Sequence, residues 1–321
     1  MTVDYSLLRP EIAALLIDGD KLPKADFKSM TDAWGRIIHT RAVCRITEVN
    51  YSTFRIVDAY AKVADYGHML VRIYIPKASS KPLPVLVHYH GGGWSRGHVN
   101  SHDNICIQIA NLSECIVVAV DYPLAPEFKF PIIIEACFEA LQWVYLNASK
   151  FGGDNLRIGV IGSSAGANLA TAMTLMARDR AQSWSIQCQI LVCPPTDMLN
   201  LATPSYSAFG GYDDFTRETM LWFRDKYLEN HTQAGHPYVS PLLAENLSDL
   251  PHALIVTAEF DILLDDGILY TEKLKHSGNS VTYHCMQKMV HSGIFWSAAV
   301  PAIDQDIKFI CEEIKKINKH K

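Results

Sequence analysis

The sequence predicts an α/β fold: a mostly parallel central sheet flanked by helices, with a helical cap over the ends of its strands. Three observations carry this. From about Leu83 onward, short runs rich in Val, Ile and Leu alternate with helical patterns, the rhythm of a sheet covered on both faces. Two segments, 1–40 and 194–250, break that rhythm. The chain has 321 residues, 49% of them hydrophobic, enough for one large core with an appendage.

The elements follow in order. Residues 1–40 read as helical with no strand. Residues 54–63 and 69–75 alternate in strand fashion around a turn containing Asp65 and Gly67, the pattern of an antiparallel hairpin that starts the sheet. The strands expected after it are 85–89, 115–120, 157–161, 188–192, 253–258 and 281–286. Between them, 131–146 repeats Ile134, Cys137, Leu141 and Val144 at steps of three and four, one apolar helix face, with Pro131 suited to its first turn. Residues 165–177, 266–274 and 303–317 read as further helices, the last ending in a basic tail that suits a helix C-terminus. Residues 194–250 contain one clear helix, 217–228. So long a connection inside a compact domain is usually functional. The expected division is therefore 1–40 as the first part of the cap, 41–193 with 251–321 as the core, and 194–250 as the cap insertion.

Composition excludes several classes. With 34 acidic against 29 basic residues, the net charge of −5 leaves no basic surplus for nucleic acid. No apolar run approaches the ~18 residues of a membrane span, and no basic stretch precedes a signal-like apolar core. The eight cysteines, Cys44, Cys106, Cys115, Cys137, Cys188, Cys193, Cys285 and Cys311, form no C-x-x-C pair and read as reduced thiols of a cytoplasmic protein. His88, His90, His98 and His102 cluster in sequence, but no H-E-x-x-H or cysteine pair accompanies them, so no metal is expected. Neither a dinucleotide fingerprint nor a Walker loop occurs, so no cofactor is expected.

The chemistry concentrates in four places. Gly162-Ser163-Ser164-Ala165-Gly166 lies between an expected strand and an expected helix, the context of a nucleophile elbow, which would point the Ser164 hydroxyl into a cleft. His90-Gly91-Gly92-Gly93-Trp94 ends an earlier strand, and three glycines in a row suit a backbone that must approach something closely. The N–H groups of Gly91 and Gly92, with that of Ala165, would make a three-donor oxyanion hole. A serine nucleophile needs a base, and the base a carboxylate to orient it. Asp261 and His291 each follow a late strand, in the chain order serine, acid, histidine. Glu259, Asp265 and Asp266 stand beside Asp261, and His284 precedes His291. Asp265 and Asp266 suit a helix N-terminus, and His284 lies within its strand, facing the sheet side or solvent.

Together these motifs resemble the hormone-sensitive-lipase-like branch of the α/β-hydrolases, the bacterial family IV carboxylesterases. The resemblance extends to Asp121-Tyr122-Pro123-Leu124-Ala125-Pro126-Glu127, Phe130-Pro131, Ser240-Pro241-Leu242 and Ala258-Glu259-Phe260-Asp261. It implies an α/β-hydrolase fold, a Ser164, Asp261, His291 triad, and hydrolysis of small carboxylic esters through an acyl-enzyme. Some members pair as homodimers through the last strand and helix. The chain departs from the common pattern at Ser163, Ala167, Ile262 and Ser292. An amidase or arylformamidase-like hydrolase would use the same triad. A non-catalytic small-molecule receptor, like the plant gibberellin receptors of this family, would lack the histidine. Asp121 to Glu127 reads as structural, with Glu127 anchoring neighbouring loops. Leu7, Leu8, Trp34, Phe209, Tyr212, Phe215 and Trp222 are either pocket or core.

Overall fold

A computed structural model describes residues 3–21, 31–45, 55–64, 67–76, 81–213, 215–291, 293–296 and 303–319. Eight strands form one sheet in the order β1-β2-β4-β3-β5-β6-β7-β8. They are β1 Arg55–Val63, β2 Gly67–Ile75, β3 Leu83–Tyr89, β4 Ile116–Val120, β5 Gly153–Ser163, β6 Cys188–Val192, β7 His252–Phe260 and β8 Val281–Val290. The hairpin expected at the start is present, with β1 antiparallel to β2 and β2 antiparallel to β4. Phe54 and Asp65, named in that expectation, lie outside the described residues. From β4 through β3, β5, β6 and β7 to β8 every pairing is parallel.

Alternation along the strands divides the core between two faces. On one side Val85, Val87 and Tyr89 of β3 and Ile116, Val118 and Val120 of β4 pack with α4 Ile132–Asn147 and α5 Ala165–Asp179. On the other, Leu86, Val117 and Ala119 pack with α3 Asp103–Ser113 and α9 Asp304–Lys319 through Ile105, Ile109, Ile307, Ile310 and Ile314. The sequence pattern gave no expectation for α3. Its Ile105, Ile107 and Ile109 alternate like a strand, yet all three are buried because the helix is covered on several sides.

Before the sheet come α1 Pro10–Asp20 and α2 Asp32–Arg45. The stretch between β6 and β7 carries α6 Pro204–Phe209 and α7 Arg217–Tyr227, one short helix more than expected. The Lys226 ammonium on α7 reaches the Asp32 carboxylate on α2 at 2.9 Å, so these two segments touch. Next, α8 Leu264–His276 links β7 to β8. Among the described residues no helix is long and apolar enough to cross a membrane. The parallel strands β3, β5, β7 and β8 all end at one edge of the sheet, where His90, Ser164, Asp261 and His291 follow them within a residue.

Candidate active site

Ser164 sits between β5 and α5 at φ +53°, ψ −125°, a conformation that disfavours any side chain and costs on the order of 1–3 kcal/mol. Its surroundings hold it there. The Ser164 N–H donates to Val192 O at 2.8 Å, and its carbonyl accepts from Ala167 N at 2.9 Å. The flanking glycines are required by close approach: a Cβ on Gly166 would lie 1.9 Å from Tyr89 O, and one on Gly162 would lie 2.2 Å from Gly166 O.

His291 Nε2 lies 2.9 Å from Ser164 Oγ, and His291 Nδ1 lies 2.7 Å from Asp261 Oδ2. An ionised carboxylate only accepts, so Nδ1 carries the proton and the Nε2 lone pair takes the Ser164 O–H. The other Asp261 oxygen accepts from Leu263 N at 2.9 Å. Both Asp261 and His291 are buried. Burial pulls the imidazole toward its neutral form, but the charge and hydrogen bond of Asp261, helped by Asp213, outweigh it and raise its pKa above the usual value.

The alternatives take other places. His284 Nε2 lies 3.0 Å from Asp306 Oδ1 and its ring stacks on Phe309, away from Ser164. Glu259 accepts from Lys288 N at 2.7 Å. Asp265 and Asp266 do lie in the first turn of α8, but the N–H groups they accept belong to the β6–β7 stretch rather than to that helix. Asp265 takes Ser205 N at 2.8 Å, while Asp266 takes Thr196 N at 2.8 Å and Asp197 N at 3.1 Å.

The glycine turn bears on one expectation. Gly91 does lie against the elbow, since a Cβ there would be 3.6 Å from Ser164 Cβ, but its N–H donates to His102 Nε2 at 3.3 Å. Its proton is therefore taken by that imidazole. Gly92, at φ +123°, and Gly93, at φ +58°, have N–H groups with no acceptor among the described residues, as does Ala165 at the start of α5. Of these three amides, that of Gly93 is the one the sequence reading did not name.

A family model described as the alpha/beta hydrolase fold matches residues 86–295. The chain is an α/β-hydrolase of the hormone-sensitive-lipase-like branch. This α/β-hydrolase is 39% identical over 235 residues to the carboxylesterase NlhH of Mycobacterium tuberculosis, covering 72% of this chain and 73% of that one. It is 38% identical to the arylesterase of Saccharolobus solfataricus, over 69% of this chain and 71% of the relative. The structure of the Pyrobaculum calidifontis esterase superposes with a TM-score of 0.90 at 33% identity, covering 97% and 99% of the two chains.

Two further residues of this α/β-hydrolase lie against His291 and Asp261. Phe215 stacks on the His291 ring, centroids 4.2 Å apart and planes 25° apart. The Cys193 Sγ lies within 4.8 Å of ligand atoms of Asp261 and His291. Burial, then the Asp261 charge, pushes that thiol well above its ordinary pKa, so it stays neutral. A cysteine in an apolar run reads only as a small hydrophobe, so sequence gives no signal for this contact.

The other aromatic candidates divide. Phe209 and Tyr212 pack on Phe260, Leu8 is buried, and Leu7 and Trp34 are exposed. Phe223 covers the glycine turn, where a Cβ on Gly93 would meet its ring at 2.1 Å. The Asp121–Glu127 stretch supports the same turn. Ala125 N donates to Trp94 O at 2.9 Å, and Glu127 receives the Arg36 guanidinium, which also donates to Ser95 O at 2.9 Å.

Proposed function

We propose that this protein is a serine esterase acting on small carboxylic esters, with Ser164 as nucleophile, His291 as general base and Asp261 as the orienting acid. The observation that carries the proposal is the continuous chain Asp261 Oδ2, His291 Nδ1, His291 Nε2, Ser164 Oγ at 2.7 and 2.9 Å. The Ser164 proton passes to Nε2 as Oγ attacks the ester carbonyl carbon. The oxyanion that forms is held by the amides of Gly92 and Ala165, with Gly93 in place of Gly91. When the tetrahedral adduct collapses, its C–O bond to the alcohol breaks and His291 returns the proton to the departing oxygen. Water repeats the sequence on the acyl-enzyme and releases the acid.

In this reading residues 1–40 and 194–250 act as the cap. The Lys226–Asp32 pair supports joining them, and Phe215 and Phe223 bring two aromatic rings to His291 and the glycine turn. Rings placed so close to the reacting groups favour short to medium acyl chains. The seven cysteines with described side chains are free and six of them are buried, which supports a cytoplasmic location. A homodimer formed through β8, the last strand of the sheet, and α9 belongs to the same proposal.

The test is a panel of aryl esters of increasing acyl length beside the matching anilides and N-formyl compounds. Turnover of short-chain esters well above anilides is expected. Faster turnover of anilides or N-formyl substrates would overturn the ester assignment in favour of an amidase or arylformamidase.

A further inference from the structure

The peptide unit joining His90 to Gly91 is gripped at both of its poles. Its carbonyl, His90 O, accepts from the Tyr122 hydroxyl at 2.7 Å, and its N–H, on Gly91, donates to His102 Nε2 at 3.3 Å. All three side chains concerned, His90, His102 and Tyr122, are buried. The geometry also fixes the His102 tautomer. A backbone N–H can only donate, so Nε2 is the acceptor and the proton is on Nδ1, which lies 2.9 Å from Ser101 Oγ. Ser101 in turn gives its own proton to His98 O at 2.7 Å and accepts the His98 N–H at 3.1 Å.

A peptide unit is planar, so holding its two poles fixes its rotation and the direction in which the next residues leave it. Those next residues are Gly92 and Gly93, whose backbone has the fewest steric limits of its own. Without an external grip, their amides would sample orientations that an oxyanion hole cannot use. The α5 terminus closes the third side, because a Cβ on Gly166 would come within 2.6 Å of His90 O.

We infer that His102 is a positioning residue of the oxyanion hole, acting with Tyr122 to pin the His90–Gly91 peptide plane and so aim the Gly92 and Gly93 amides at the developing oxyanion. The inference deepens the acyl-transfer reading of Ser164 and rests on it. Removing the acceptor should weaken the transition state while leaving ground-state binding nearly intact, since an ester carbonyl carries far less charge on oxygen than the tetrahedral adduct.

The experiment compares wild type with His102→Leu, His102→Gln and Tyr122→Phe, using a short-chain aryl ester and an aryl trifluoromethyl ketone. The ketone adds to Ser164 and places an oxyanion in the hole. His102→Leu is expected to lower kcat on the order of 10- to 100-fold with KM within about twofold, and to weaken the ketone by the same factor. His102→Gln, whose amide oxygen can accept the Gly91 N–H, should recover most of both losses. Should His102→Leu fail to fold, Tyr122→Phe removes a single oxygen at the other pole and is expected to move kcat and ketone affinity together in the same direction.

Unchanged kcat and ketone affinity in the folded variants would overturn the inference. So would a loss confined to KM, or a His102→Gln no better than His102→Leu. A wild type that takes no fluorophosphonate label on Ser164 would instead fail the acyl-transfer reading itself.

Discussion

His291 and Asp261 stand 30 positions apart in the chain, yet their Nδ1 and Oδ2 atoms lie 2.7 Å apart in a buried contact. Burial alone would lower the imidazole pKa, but the carboxylate beside it raises it above the ordinary 6.5. The base works only when neutral. As pH falls through this raised pKa, Nε2 is protonated and can no longer take the Ser164 proton. The acid limb of a kcat/KM profile is therefore expected to have its midpoint above 6.5. In Asp261→Asn the charge that raises the pKa is gone, so the limb moves to lower pH while the rate falls on the order of 10⁴-fold, as for the analogous change in other triads. A limb that stays in place would mean that Asp261 does not set the His291 charge.

Asp266 offers a stability test with its own sign. Burial pushes its carboxyl up to about 7, against the pull of the Thr196 and Asp197 N–H groups and with a further push from Asp197 and Asp261. In the unfolded chain it titrates near 3.8. Between these values the folded state holds a proton that the unfolded state has released. Its contribution is therefore fully present below the unfolded value and lost as pH rises toward about 7. Asp266→Asn keeps an oxygen for the Thr196 and Asp197 amides and removes the ionisation. Its Tm, relative to wild type, is expected to be higher at pH 8 than at pH 4. Parallel Tm curves for the two proteins would contradict the buried-acid account.

The elbow glycine gives a prediction about the scaffold. An alanine at Gly166 would set its Cβ 1.9 Å from Tyr89 O, and backbone on both sides cannot yield as a side-chain tip can. Gly166→Ala is expected to lose several kcal/mol of stability or fail to fold, read as a drop in the urea midpoint. Gly278→Ala, at φ +84° with no atom within 4 Å of the added Cβ, carries only the backbone penalty and serves as the comparison.

Most of the fold was legible because apolar runs bounded by turn residues report strands directly. The strand expected at 188–192 matches β6, and the strand expected at 281–286 lies within β8. What stayed hidden depends on partners far away in the chain. The direction of the Gly91 N–H is set by His102, and the Cys193 thiol finds Asp261 only once β6 and β7 lie side by side. α3 escaped for a different reason: Ile105, Ile107 and Ile109 alternate like a strand and mask the helical spacing of Asn104, Gln108 and Asn111. That Ser164, Asp261 and His291 meet could be expected from their positions after strands, since parallel strands deliver such residues to one edge.

Phe215 is the ring stacked on His291. Aromatic contacts of this kind contribute about 0.5–1.5 kcal/mol. Phe215→Ala is accordingly expected to lower kcat/KM for an aryl ester about two- to tenfold with the circular dichroism spectrum unchanged. An unaltered kcat/KM would show that the stack on His291 does not bear on turnover.

Acylation of Ser164 is tested by intact-protein mass spectrometry of enzyme quenched during turnover of a slow aryl ester. One added acyl mass is expected, mapped by proteolysis to the peptide holding Ser164 and absent from Ser164→Ala, which should also lose several orders of magnitude in hydrolysis. An acyl group on another residue, or a Ser164→Ala protein that keeps most of its activity, would contradict it.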